Sequence, residues 1–382
     1  MKSSSVTNKI FLLIFAIIAF ILISRFLGVG PFAPKVPKED ICNSIDEVSK
    51  HVSDYLESGQ EGTLTLYIKD VSEYDLTKIN FYIDTMMGSI SNIRTSMFNA
   101  DLTKVELEVH RSDSSYVVDA IVSDKPIPEG KDEAKKLEKK VREIMASIIK
   151  PTMSDFEKEL AIHDYIVNNC EYGFFNDDSE REYNAYGVLI EGKAVCSGYA
   201  AAMDLLLKCS GVESRFVVGY AESSQRAADS SGVEEGNKKK DLKADNHAWN
   251  QVRIDGVWYN VDATWDDPVG KGDVLSHMYF NIDDDLMGMT HEWNRKDYET
   301  CSSMAANYYC KTGTKFNNPS ELESYSNYYF SSHGKGELEC QISGFDVNDS
   351  NLQFLFGING VTGASYAVSE MGDYRILNLI VE

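Results

Sequence analysis

The chain lacks several features that mark whole classes of protein. Its seven cysteines include no CxxC pair, which argues against a zinc ribbon, and they are too few for a small disulfide-framed domain. No segment recurs with a fixed period, so a solenoid is not expected. Positive charge is in deficit, because 37 Lys and Arg face 60 Asp and Glu and leave a net charge of −23. Such a chain would repel phosphate groups, and we therefore exclude nucleic acid as a partner.

The composition that remains is that of an ordinary globular protein. Hydrophobic residues make up 43% and charged residues 25%, so most of the chain should fold. Its 382 residues suffice for two or three domains. The acidic run Asp283–Asp285 does not have the spaced ligands of a calcium loop. We interpret it as a solvated face and predict neither a metal nor a cofactor.

The amino terminus contains one long apolar run. Every residue over Ile10–Ile23 is apolar, and the run resumes over Phe26–Val29. About 20 such residues can cross a hydrocarbon core of roughly 30 Å. We predict a transmembrane signal anchor at residues 10–29, which makes the membrane a partner. A cleaved signal peptide is the alternative, although no small-x-small cleavage site follows the run. The short preceding tail favours a single-pass protein of the cell membrane with its globular part outside the cell.

The residues after the anchor alternate between helical and strand patterns. Alternating apolar residues predict strands at Thr63–Ile68, Lys104–His110 and Tyr116–Val122. A helical period covers Asp75–Met87. These elements indicate a small α+β accessory domain.

Two helices are predicted in the centre of the chain, at Lys131–Ile149 and, after a cap at Ser154, as far as Asn169. Near the carboxyl end, a helix over Pro319–Tyr329 and strands at Glu337–Ile342 and Tyr374–Ile380 indicate a second small α+β unit. The predicted parts of the chain are a short tail (1–9), the anchor (10–29), a Pro/Gly linker (30–40), the accessory domain (41–128), a central domain (130–297) and the carboxy-terminal domain (298–382).

A cysteine stands at the start of a predicted helix in the central domain. The residues Ser197–Cys209 are rich in Ala, Leu and Met, and Gly211 provides a stop. Unpaired backbone N–H groups and the helix dipole favour a thiolate at such a place. Cys196 is therefore a candidate nucleophile. The alternative, which holds for any single cysteine, is a small buried hydrophobe.

The segment NHAWNQVRIDGVWYNVDATW predicts a hairpin, because the Asp-Gly dipeptide at 255–256 is the strongest short hairpin signal. A two-residue turn there places His247 opposite Thr264. It also places Trp249 opposite Asp262, so that His247 and Asp262 are diagonal neighbours on one face. A three-residue loop would slip the register and separate them. The other face carries the expected core residues Val252, Ile254, Val257, Tyr259 and Val261.

These three residue types together can perform thiol catalysis. A thiolate attacks an acyl carbon, an imidazole draws and returns the proton, and a carboxylate orients the imidazole. Cys196, His247 and Asp262 stand in that order along the chain.

Three stretches of the sequence resemble the transglutaminase-like family, whose members are distant relatives of papain. They are AYGVLIEGKAVCSGYA (185–200), FVVGYA (216–221) and HAWNQVRIDGVWYNVDATWDDP (247–268). The resemblance covers about residues 130–295. It implies an α+β, papain-like core in which a helix bears the cysteine and an antiparallel sheet carries the histidine and the aspartate, flanked by the two small α+β units.

The resemblance also implies the catalytic residues and the activity. The Cys, the His of HAW and the Asp of WYxxDxTW form the family's triad and match Cys196, His247 and Asp262. The implied function is a cell-surface thiol acyl-transfer enzyme acting on peptide amides, either a cysteine protease or amidase, or a Gln-Lys cross-linking transglutaminase. Protein or peptide substrates, cell-wall peptide among them, are the expected partners. The alternative is a non-catalytic surface binding or scaffold module that retains the fold.

One departure from the family concerns the oxyanion. Larger transglutaminases are similar in using a Trp upstream of the Cys, whereas all four Trp of this chain follow Cys196. Tyr186 is the candidate substitute, acting beside the backbone N–H of Cys196. The alternative is a core tyrosine.

Three further features of the sequence each allow two interpretations. The polar run 222–245 is either a flap at the cleft or a tolerated insertion, and we favour the insertion. Cys301 and Cys310 either form a disulfide or remain two buried thiols. His163, at helical spacing, is interpreted as a packed or surface residue rather than a ligand.

Overall fold

The computed structural model of the chain describes residues 3–28, 30, 35–58, 60–69, 90–176, 181–222, 244–267, 275–296, 298–348, 350, 352–358 and 361–382. These form two compact units, which divide the chain between Tyr116 and Val117. Both units contain helices and strands. The helix predicted over Asp75–Met87 and residues 223–243 of the predicted polar loop lie outside the described residues.

The first unit begins with helix α1, Ser3–Leu27, which includes most of the apolar run. Among the residues that the structure describes in full, no helix is both long enough and apolar enough to cross a membrane. This finding does not support the anchor predicted at residues 10–29.

A four-stranded sheet and one longer helix are the other main elements among the described residues of the first unit. The strands are β1 (Ile41–Cys42), β2 (Gly62–Lys69), β3 (Ile90–Met97) and β4 (Leu102–Val109), in the order β1-β2-β4-β3. Helix α2, Ile45–Glu57, packs Val48 and Val52 into the same cluster as Leu66 and Leu107 of the sheet. The strands predicted at residues 63–68 and 104–110 are thereby confirmed.

The strand predicted at Tyr116–Val122 is wrong, because Asp113–Val122 forms helix α3. Tyr116, Val117 and Ala120 are buried, and their spacing is that of one helix face. The Oγ atom of Ser112 accepts the N–H of Ser115 at 3.2 Å, as a helix cap does. The apolar run is too short for its periodicity to distinguish a strand from a buried helix.

Three helices form one side of the second unit: α4 (Asp132–Ile148), α5 (Asp155–Asn169) and α6 (Cys196–Ser210). Each was predicted. Helix α5 begins with a capping box, in which Ser154 and Glu157 bond each other's backbone N–H groups. Helix α6 ends at Gly211, whose φ of 82° is left-handed.

Strands β5 (Glu171–Tyr172) and β6 (Lys193–Ala194) pair in parallel. The strands of the central sheet are β7 (Ser214–Glu222), β8 (Ala244–Ile254), β9 (Val257–Val261) and β10 (His291–Glu292). Their order is β10-β7-β8-β9, with all neighbours antiparallel. Asp255 and Gly256 both have positive φ, 53° and 83°, which is the two-residue turn that was predicted. The observed pairing runs from Ile254 with Val257 to Asn250 with Val261 and confirms the predicted register over that range.

The two faces of this sheet enter different hydrophobic clusters. Val252, Tyr259 and Val261 share a cluster with α4, α5 and α6. Val217 and Trp249 belong to a second cluster, which also contains Tyr374 of the carboxy-terminal sheet. Because both faces are covered, the sheet is a rigid support for the side chains at its edge.

Two short helices, α7 (Asp284–Met287) and α8 (Tyr308–Thr312), precede the carboxy-terminal sheet. That sheet has the order β11-β12-β14-β13 and packs with helix α9, Pro319–His333. Its strands are β11 (Lys315–Phe316), β12 (Gly336–Ile342), β13 (Ala364–Met371) and β14 (Tyr374–Val381). The helix and the two strands predicted here are confirmed, whereas the domain boundaries stay predictions.

Removal of the capping box should weaken the second unit. We expect Ser154→Ala to lower the free energy of unfolding by about 1 kcal/mol, because the N–H of Glu157 loses its acceptor. Denaturant titration of the purified protein measures the change. Ser324→Ala is the control, since Ser324 is an exposed serine within α9 and its loss should matter by less than about 0.5 kcal/mol. Equal losses in the two variants would contradict the role of the cap.

Candidate active site

Cys196 is the first residue of α6, and close packing fixes this helix start. Gly198 lies so near the preceding chain that a Cβ atom would come within 2.5 Å of the carbonyl oxygen of Glu182. A side chain at this position would push the helix start away. Cys196 is partly exposed, whereas the next eleven residues of the helix, Ser197–Leu207, are buried. The thiol therefore stands where a buried helix meets solvent.

His247 lies on β8, opposite Gly219 of β7. Its Nε2 atom is 2.7 Å from Oδ2 of Asp262, and the side chain of Cys196 interacts with the same imidazole. Because Nε2 faces the carboxylate, Nδ1 is the ring nitrogen left for the thiol. The structure thus brings together the three residues that the sequence predicted as a triad, and their catalytic role stays a prediction.

Asp262 reaches His247 by a different route from the predicted one. The predicted pairs of Trp249 with Asp262 and of His247 with Thr264 are not part of the ladder, which ends at Val261. The chain turns there, and the N–H of Asp262 donates to the carbonyl oxygen of Tyr279 at 3.2 Å. The turn folds back under the carboxylate, so that Oδ1 accepts the N–H of Thr264 at 3.0 Å. Backbone donors therefore hold one carboxylate oxygen and leave the other for His247.

The buried ion pair controls both protonation states. Burial lowers the pKa of His247, but the charge and hydrogen bond of Asp262, together with Cys196, outweigh it and raise that pKa to about 10. Burial also raises the pKa of Asp262, but the charge of His247 and hydrogen bonds from His247 and His291 hold it well below its usual range. Asp262 stays ionised, and an imidazolium at His247 is stabilised once it has taken a proton from the thiol.

His291 is a second imidazole at this site, and the sequence did not predict it. Its Nε2 atom lies 3.1 Å from Oδ2 of Asp262, the same oxygen that His247 uses. Burial lowers the pKa of His291, and the neighbouring charge of His247 acts in the same direction. A neutral His291 can donate a hydrogen bond to Asp262 and leaves the negative charge of that carboxylate to pair with His247. No sequence signal marked it, because it comes from the short edge strand β10, outside the hairpin.

Aromatic rings surround the two imidazoles. Trp249 stacks on His247 at a centroid distance of 6.2 Å, and Trp265 lies 5.8 Å from the same ring. Trp265 and Tyr279 also pack against His291, at 4.7 and 5.5 Å. These apolar walls keep water from the carboxylate and strengthen its hydrogen bonds.

Tyr186, the oxyanion candidate, is 6% exposed and belongs to the hydrophobic cluster shared with α4, α5 and α6. The guanidinium of Arg181 lies 5.2 Å from the centre of its ring. These contacts describe a packed tyrosine, and the oxyanion role stays a prediction.

The acidic run Asp283–Asp285 has a structural explanation that corrects the predicted solvated face. Asp283 caps α7 by accepting the N–H of Leu286 at 2.8 Å. Asp284 is buried and accepts hydrogen bonds from Asn260 and from the N–H of Cys301. Only the carboxylate of Asp285 within this run is fully in solvent.

The cysteines and the histidine that were left open are also placed. Cys301 is a buried thiol and Cys310 an exposed one, and neither forms a disulfide in this structure. His163 is fully buried on α5, where its ring nitrogens meet Asp164 and Asp266.

Residues 142–263 match the model of the Transglutaminase-like superfamily. The matched stretch begins in α4, ends one residue after Asp262 and includes Cys196 and His247. The chain therefore contains a transglutaminase-like domain, and the predicted resemblance and α+β fold class are confirmed.

Individual relatives are distant. The chain is 24% identical over 153 residues to kyphoscoliosis peptidase of Homo sapiens, a match that covers 39% of this chain and 21% of that protein. It is 26% identical over 129 residues to the Mus musculus protein of the same name, covering 33% and 18%. The chain thus matches about a fifth of the length of these relatives. A crystal structure of a TGase is 12% identical, with a match that covers 59% of each chain and a TM-score of 0.26.

Alkylation of Cys196 reports on the triad without a substrate. We expect iodoacetamide to modify Cys196 faster than the other six cysteines, because a helix start and an imidazole both favour the thiolate. Asp262→Asn should slow this reaction by at least about 10-fold, since an amide does not hold His247 in the required tautomer. His247→Ala should slow it at least as much, and the double variant should cost little more. Mass spectrometry after brief labelling gives the rates.

The control for these variants is Thr264→Val, because Thr264 bonds Asp262 through its backbone N–H and not its hydroxyl. Its labelling rate should match the unmodified protein. Independent, additive effects of the two triad variants, or unchanged rates in a folded protein, would show that the hairpin presents no catalytic pair.

His291 should act as a positioning residue. His291→Leu removes one hydrogen-bond donor from Asp262. A hydrogen bond to a charged group contributes roughly 1.5 kcal/mol, so we expect the labelling of Cys196 to slow by about 10-fold. His291→Gln, which can still donate, should recover most of the rate. The labelling rates and the melting temperatures of both variants are measured together. A purely structural role predicts that rate loss follows melting temperature and that Gln gives no rescue.

Proposed function

We propose that the chain is a thiol acyl-transfer enzyme that acts on peptide amides. The observation that carries the proposal is the 2.7 Å contact of His247 with Asp262, together with the interaction of the same imidazole with Cys196 at the start of α6. The match of this stretch to the transglutaminase-like superfamily supports the same chemistry.

Each member of the triad acts in both halves of the proposed reaction, the acylation of Cys196 and the release of the acyl group. The proton of Cys196 passes to Nδ1 of His247, the thiolate attacks the amide carbon, and Asp262 stabilises the imidazolium. The tetrahedral intermediate collapses, the C–N bond breaks, and His247 returns the proton to the leaving amine. A thioester on Cys196 and a free amine are the products of this half.

The second half decides the biological outcome. Water that attacks the thioester gives hydrolysis, whereas a primary amine gives a cross-link. In both cases His247 accepts the proton of the attacking group, the C–S bond breaks, and the proton returns to the sulfur of Cys196. The name of the matched relative, kyphoscoliosis peptidase, favours hydrolysis as the first reaction to test. We propose a protein or peptide as the substrate. A cell-surface location is part of the proposal and rests on the amino-terminal sequence pattern alone.

Stabilisation of the oxyanion is the remaining requirement. The first N–H groups of a helix have no partner within it and point outwards from its end. We propose that the N–H of Cys196, at the start of α6, donates to the developing oxyanion. Tyr186 is the proposed second donor.

A library of quenched fluorescent peptides, assayed with and without a primary alkylamine, separates the two outcomes. We expect cleavage without the amine, and mass spectrometry identifies any amine adduct formed in its presence. Cys196→Ala should lower the rate by about 10³-fold or more, because no other nucleophile replaces the thiol.

Cys209→Ala is the matched control, since this cysteine belongs to the same helix and burial raises the pKa of its thiol to about 12. Its activity should stay within about two-fold of the unmodified protein. Neither cleavage nor adduct across the library, in a folded protein, would favour the non-catalytic binding module instead.

A further inference from the structure

A second cluster of histidines and carboxylates lies next to the catalytic turn. His163 and Asp164 come from α5, and His277 lies in the described segment that begins at residue 275. Asp266 lies in the turn that follows β9, and Glu339 is on β12. The triad of Cys196, His247 and Asp262 uses none of these five residues.

The two histidines converge on a single carboxylate oxygen. Oδ1 of Asp164 lies 3.1 Å from Nδ1 of His163 and 3.0 Å from Nε2 of His277. A tetrahedral zinc ion with bonds of about 2.0–2.1 Å would separate neighbouring ligand atoms by roughly 3.3 Å. All three atoms lie within 4.8 Å of one another. The two nitrogen–oxygen distances are therefore close to the separation of ligands around one ion.

Each imidazole is also backed by a second carboxylate on its other nitrogen. Nε2 of His163 lies 3.2 Å from Oδ2 of Asp266, and both side chains are fully buried. Nδ1 of His277 lies 2.7 Å from Oε2 of Glu339. Metal-binding histidines almost always donate their second N–H in this way, which fixes the tautomer and makes the binding nitrogen more basic.

The rings cannot easily turn away from this point. Tyr308 stacks on His277 with centroids 3.7 Å apart and planes 4° from parallel. Phe280 meets the ring of His163 edge-on at 5.0 Å. Glu339 is itself held by the N–H of His277 and the hydroxyl of Ser276. The orientation of both potential ligands is thus set before any ion binds.

From this geometry we propose that His163, Asp164 and His277 bind a divalent transition metal ion, with zinc as the best fit to two imidazoles and one carboxylate. A water molecule completes the coordination on the side of Asp164, whose side chain is 33% exposed while those of His163 and His277 are 0% and 6% exposed. The ion joins α5 to the segment that begins at residue 275.

The cluster of His247, His291 and Asp262 has the same residue types but does not meet the same conditions. His247 and His291 also share one oxygen, that of Asp262. The second ring nitrogen of His247, however, serves Cys196, and that of His291 meets the hydroxyl of Thr290 rather than a carboxylate. Carboxylate backing on both imidazoles distinguishes the proposed site.

The proposed site is coupled to the triad through the turn. The N–H of Asp266 donates to the carbonyl oxygen of Asp262 at 3.1 Å, and Oδ1 of Asp266 accepts the N–H of Tyr279 at 2.9 Å. An ion that orders His163 therefore also orders Asp266 and the turn that presents Asp262. The metal is a structural brace for the active site and takes no part in the chemistry.

The experiment uses the full chain, stripped of metal with a chelator and titrated with zinc chloride. Calorimetry should give one ion per chain, and the melting temperature should rise on addition of zinc. Asp164→Asn should weaken binding by at least 10-fold, and Glu339→Gln, which leaves all three ligands in place, by about 10- to 100-fold. Both variants alter groups that are less buried than His163 and should keep the fold.

Two controls exclude other binding groups. His291→Leu alters the triad cluster and should bind zinc as the unmodified protein does. Cobalt substitution should give an absorption spectrum without a thiolate charge-transfer band, which excludes the cysteines. Absence of stoichiometric zinc binding, full affinity in Asp164→Asn and Glu339→Gln, or loss of affinity in His291→Leu would each overturn the proposal. The readouts do not depend on catalysis, so the proposal can fail or succeed separately from the proposed function.

Discussion

The hydrogen bond between Asp262 and His247 is the interaction on which the site depends. Its 2.7 Å length and complete burial of the carboxylate mean that neither partner can be lost without leaving an unpaired polar group in the interior. The surrounding structure supplies further donors for this reason, from the backbone of the turn and from His291. Cys196 then meets an imidazole whose tautomer and orientation are already set.

The turn after β9 carries two carboxylates, Asp262 and Asp266, and each of them bonds a different histidine. Asp262 bonds His247, and Asp266 bonds His163 on α5. The backbone hydrogen bond between the two residues closes one helical turn and links the two carboxylates through the backbone. Two buried His-carboxylate clusters thereby share one short piece of chain, and the packing of α5 bears directly on the geometry of the triad.

Buried charge in this region is balanced mainly by histidine. Asp262 and Asp266 are both fully buried and both bond imidazoles. Imidazole rings can also pack against aromatic neighbours, as His247 does on Trp249 and His277 on Tyr308. The same side chains therefore provide charge compensation and apolar contact, which allows a polar site to sit inside a hydrophobic core.

The sequence by itself determined the helix that starts at Cys196, the Asp-Gly hairpin and the proximity of His247 to Asp262, because each follows from local periodicity, turn chemistry and a motif. It misassigned α3, where a short apolar run fits two periods. Only the tertiary structure decided that the ladder ends at Val261, that the turn carries Asp262 to its partner, and that His291 and the cluster around His163 exist. These depend on contacts between residues far apart in the chain, such as Asp262 with His291 and Glu339 with His277. No local pattern encodes such contacts, because they are fixed by how the elements pack.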